Sequence, residues 1–187
     1  MSAKQQRRRH LAGGLLALLG SSSSMAPARA SAAEVALGSQ ALPEPLLLLH
    51  RTSRHLPRTG DPIWELQLQV PGQQTLSFEA VSGRADRQRA DRHRMGSEAP
   101  LPAGTYALGA IESLGSHGPR ELGPVWIGIE PRFSTGRRVL GIHLDPSAGR
   151  DRNSGTSGCV GLIRRADMLL LAQLLQRSHT QTLVVQE

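Results

Sequence analysis

Cys159 is the only cysteine among the 187 residues, and it stands in the stretch GTSGCVGL, residues 155–162. A thiol does chemistry when a base or a neighbouring cation turns it into thiolate; otherwise it is a small buried hydrophobe. The residues around it favour chemistry. His143, in GIHLD, lies sixteen positions upstream and is the best-placed base for Cys159. Thr156, Ser157 and Gly158 are small, so a substrate carbonyl can approach the backbone there and meet N–H groups able to hold an oxyanion. Asp145 falls on the same face of an extended strand as His143 and is a candidate to orient the imidazole, or else a loop-opening aspartate ahead of Pro146. His50, His55, His93, His117 and His179 show no tight ligand spacing, so neither metal nor cofactor is expected. The sole lysine is Lys4, which takes Schiff-base and Ser/Lys chemistry out of consideration for the rest of the chain.

Such a pair needs strands to hold it. IWELQLQV (63–70) alternates apolar and polar residues, PGQQ (71–74) reads as a turn, and TLSFEAVS (75–82) alternates again, which predicts a hairpin. EPLLLLHR (44–51), GTYALGAI (104–111), PVWIGIEP (124–131), VLGIHLD (139–145) and TLVVQ (182–186) are further strands, with Trp64 and Trp126 expected in the core. ADMLLLAQLLQR (166–177) is the one strongly helical segment, with Asp167 in its first turn and Arg177 in its last, as the helix dipole favours. Many short strands and one late helix predict a mostly antiparallel β domain. Residues 83–100 carry Arg84, Arg87, Arg89, Arg92 and Arg94 interleaved with Asp86 and Asp91, and read as a long surface loop. Arg84, Arg92 and Arg94 are candidate carboxylate contacts, because a guanidinium binds a carboxylate bidentately.

The N-terminal thirty residues read as an export signal. Lys4, Arg7, Arg8 and Arg9 precede a short apolar run from Leu11 to Leu19, and Ala28-Arg29-Ala30 suits cleavage. Arg7-Arg8 leaves both the Sec and the twin-arginine route open. The apolar run is too short for a stable membrane span. Residues 31–44 follow as a leader, and 45–187 as a single domain. Residues 1–30 hold Lys4, Arg7, Arg8, Arg9 and Arg29 and no acid, so removing them lowers the formal charge from +7 to +2. Nucleic-acid binding then loses its electrostatic support. The expected location is the periplasm or the cell wall.

GIHLD followed by GTSGCVGL resembles the catalytic signature of the L,D-transpeptidases, the YkuD-type domain. His143 takes the place of the strand histidine, Thr156 that of the Ser/Thr, Gly158 that of the glycine, Cys159 that of the nucleophile and Val160 that of the hydrophobic residue. Upstream, Pro102, Gly104 and Tyr106 match the family's Pro, Gly and aromatic positions. The likeness runs over roughly residues 45–165. Ser157 stands where the family has a second histidine, Gly161 where it has Asn or Arg, and the spacer of twelve residues (144–155) is short. The resemblance implies a YkuD-like antiparallel β-sandwich with one late α-helix. It also implies a cysteine enzyme acting on peptidoglycan stem peptides: Cys159 forms a thioester at the bond before a terminal D-Ala, and an amine resolves it. With water as acceptor the same site is an L,D-carboxypeptidase. A non-catalytic wall-binding domain that kept the fold is the alternative from another class. Papain-like and NlpC-type peptidases place Cys before His, the reverse of the order here.

Overall fold

The computed structural model describes residues 43–115 and 118–186, so the export-signal reading and all of the leader but its last two residues lie outside them. Eight strands follow in chain order: β1 (Leu46–His55), β2 (Pro62–Gln69), β3 (Leu76–Ser82), β4 (Gly104–Ser113), β5 (Val125–Pro131), β6 (Leu140–Leu144), β7 (Val160–Leu162) and β8 (Thr182–Val185). The one α-helix, α1, spans Arg165–Ser178. In β2 the alternation is read out directly: Trp64, Leu66 and Leu68 point inward, while Glu65, Gln67 and Gln69 are half-buried. It pairs antiparallel with β3, Leu66 opposite Phe78, as the predicted hairpin requires.

The mostly β character and the single late helix are as expected, but the sheet is not a sandwich. It closes into a barrel in the order β1-β2-β3-β7-β6-β5-β4-β8. The closing element is β8, which pairs parallel with β1 (Leu48 opposite Val184) and antiparallel with β4 (Tyr106 opposite Leu183). A four-residue terminal strand that serves two neighbours removes both free edges at once. A second parallel pair, β6 with β7, sets His143 opposite Gly161. The barrel is filled by inward side chains, among them Leu49, Trp64, Tyr106, Ile127, Ile142 and Leu183. The helix adds Met168, Leu171, Ala172 and Leu175, at the i, i+3, i+4, i+7 spacing of one apolar face.

Candidate active site

Strand β6 is buried along its whole length and carries His143, which is 7% exposed. Its Nδ1 lies 2.8 Å from the Leu144 carbonyl oxygen. A carbonyl only accepts, so Nδ1 bears the hydrogen and Nε2 keeps the free lone pair. The imidazole stacks on Trp126 of β5, ring centroids 5.8 Å apart and planes 21° from parallel. Trp126 is thus half-buried against His143 rather than a core residue; Trp64 is the buried one. Gly141 makes room for this, since a Cβ there would stand 2.4 Å from the Trp126 ring. Burial pulls the His143 pKa below its ordinary 6.5, against the opposing pull of the Leu144 bond and the Asp145 charge. The ring is neutral at pH 7 and carries its lone pair at Nε2.

Cys159 immediately precedes β7. Its thiol donates to the Val139 carbonyl at 3.9 Å, a weak contact. Burial pushes the thiol above its ordinary 9.0, while the Gly141 N–H and the Arg137 charge pull the other way. The resting pair is thus a neutral thiol and a neutral imidazole, not a preformed ion pair. Val139 is β-branched, 84% exposed and at φ +53°, a costly backbone state for such a residue.

The segment before Cys159 is tied down from within. Thr156 Oγ1 donates to the Cys159 carbonyl at 2.8 Å and accepts from Gly83 N at 3.0 Å and Gly158 N at 3.2 Å. Ser82 Oγ donates to the same carbonyl at 2.9 Å. The Gly158 N–H, expected to face an oxyanion, is therefore engaged by the Thr156 hydroxyl. Among the described residues, no turn or side-chain hydrogen bond engages the Cys159 N–H. The Ser157 side chain is exposed. Asp145 does not hold His143 by a hydrogen bond. Its carboxylate instead accepts from Ser147 N at 2.9 Å, Ser147 Oγ at 2.6 Å and Gly155 N at 2.8 Å, so it shapes the β6–β7 connection. Gly161 lies beneath: a Cβ there would meet Asp145 Cβ and Thr156 Cγ2, each at 2.9 Å.

His143 and Cys159 open into one cleft of about 590 Å³, together with Asp145, Thr156, Ser157 and Arg84. Of the three candidate arginines only Arg84 lines it; its Nη1 also donates to the Ser154 carbonyl at 3.1 Å. Arg92 lies 5.6 Å over the Trp64 ring, and Arg94 lines a separate surface hollow. Two arginines not singled out from the sequence are found here. Arg120 lines the cleft. Arg137 is 3% exposed and donates to the Ser157 carbonyl at 2.6 Å. Nothing in the order of residues marks Arg137 as the buried one among the described arginines. Among the described residues no cluster of His, Cys, Asp and Glu could hold a metal ion, and no helix is long and apolar enough to cross a membrane. No family model, no curated protein and no solved structure matches this chain.

Proposed function

We propose that this protein is a cysteine acyltransferase of the L,D-transpeptidase type, acting on peptidoglycan stem peptides in an exported setting. The observation that carries the reading is the shared cleft: the sole thiol and a buried neutral imidazole whose Nδ1 is fixed by a backbone carbonyl both line it. The order of events follows from the protonation states. The Cys159 thiol turns from the Val139 carbonyl and loses its proton to His143 Nε2 as Sγ attacks the carbonyl before the terminal D-Ala. The Cys159 N–H receives the oxyanion. The C–N bond breaks, the imidazolium returns the proton to the departing amine, and a thioester remains. An acceptor amine then attacks the thioester, His143 takes its proton, and the thiol is restored. Arg84, at the cleft wall, supplies a guanidinium for a substrate carboxylate.

Water in place of the amine gives the carboxypeptidase outcome at no change in the machinery. The test is incubation with a tetrapeptide muropeptide, with products read by mass spectrometry. Free D-Ala with a crosslinked dimer supports transfer, and free D-Ala with a tripeptide supports hydrolysis. Binding without release of D-Ala contradicts both and favours a wall-binding domain.

A further inference from the structure

Arg137 sits two residues before Val139 and is the least exposed arginine of the site. Among the described residues, each of its guanidinium's hydrogen bonds goes to a neutral acceptor: Ser157 O at 2.6 Å, Ser97 Oγ at 3.0 Å, Arg92 O at 3.4 Å and Arg94 O at 3.5 Å. No carboxylate pairs with it among the described residues. A buried cation without a counter-charge costs several kcal/mol, so its position calls for an anion that is not a side-chain carboxylate. The guanidinium also lies against the Cys159 segment. Nη2 fills the space of a Gly158 Cβ, and Gly158 at φ +108° gives it that room. One residue further on is the sulfur.

We propose that Arg137 is the buried counter-charge for the thiolate that forms at Cys159, and the clamp that holds residues 157–159 in place for it. This rests on the reading of Cys159 as a nucleophile. The guanidinium exchanges no proton: Cys159 Sγ–H gives its proton to His143 Nε2, and the negative charge left on sulfur is balanced by Arg137. Arg137 is thus a positioning residue. Its effect runs in the direction already noted, its charge pulling the thiol down against burial, with the thiol in turn favouring charged Arg137. The other charged or titratable groups around the cleft are His143 on β6, Asp145 at its end, Arg84 after β3, and Arg120 and Glu121 on the 120–122 turn; Tyr106, beside Arg137, is held neutral by burial.

The test needs no muropeptide, so its failure is separate from failure of the transpeptidase reading. Iodoacetamide alkylation of Cys159 is followed by intact mass from pH 7 to 11.5 in the wild type, Arg137→Lys and Arg137→Gln. The expected result is a midpoint raised by about one unit in Arg137→Gln, with alkylation at pH 8 about threefold slower; tenfold less thiolate is partly offset by its greater nucleophilicity. Arg137→Lys keeps the wild-type midpoint. A Gln variant that titrates like the wild type, or a Lys variant that titrates like Gln, overturns the proposal. Should Arg137→Gln not fold, Cys159→Asp is compared with Cys159→Asn, both carrying His143→Gln to remove the other cation. A higher Tm for the Asp variant at pH 8 supports the counter-charge, and equal or lower stability overturns it.

Discussion

His143 carries its meaning in one hydrogen bond. With Nδ1–H spent on the Leu144 carbonyl, only Nε2 can accept the thiol proton. His143→Gln keeps the fold and lowers kcat by about 10²- to 10⁴-fold, the usual contribution of a positioned base, as read by D-Ala release. Burial holds the imidazole below 6.5, so the acid limb of kcat/KM falls below that value; a limb at or above 6.5 contradicts the assigned environment. That His143 and Cys159 meet at one cleft was legible in the sequence, because a sole cysteine and a strand histidine leave few alternatives. Arg137 and Arg120 were not, because burial and cleft lining are set by which loops meet, and one-dimensional spacing does not encode that. Asp145 shared a strand face with His143, yet the turn at Pro146 and Ser147 takes its carboxylate away.

At the scale of elements, the connection from β6 to β7 builds the site. Asp145 gathers Ser147 and Gly155, and Thr156 gathers Gly83, Gly158 and the Cys159 carbonyl. Asp145→Ala leaves three donors without their acceptor and costs about 1–3 kcal/mol of stability by denaturant unfolding. Gly161→Ala forces a Cβ against Asp145 and Thr156, both at 2.9 Å. It destabilises by about 1–3 kcal/mol and slows D-Ala release, since the strain falls on the loop that holds Cys159. A neutral result for Gly161→Ala would mean that this loop yields freely. Strand β7 was hidden in the sequence, because Val160-Gly161-Leu162 is too short for a periodic signal. Its neighbours β3 and β6 were clear, because alternation or a continuous apolar run outlasted any turn signal.

Over the whole molecule, the barrel depends on β8 joining β1 to β4. The sequence announced the strand but not its two partners, and pairing across the chain is what separates a barrel from a sandwich. Leu183→Ala opens a cavity in this closing strand and lowers stability by about 2–5 kcal/mol, measured by urea unfolding. Stability also depends on pH through His143 and Cys159. His143 has a folded pKa below its unfolded 6.5, so the unfolded chain takes the proton first and stability is lost as pH falls below 6.5. Cys159 has the opposite sign: its folded pKa lies above 9.0, so stability is lost as pH rises above that value. The slope below 6.5 flattens in His143→Gln. The most direct test of the central claim is intact-mass spectrometry of the protein with a tetrapeptide muropeptide, beside Cys159→Ala and His143→Ala. The account predicts a thioester adduct or D-Ala release in the wild type and neither in the two variants. A wild-type protein that binds the muropeptide unmodified, or a Cys159→Ala variant that still releases D-Ala, would contradict it.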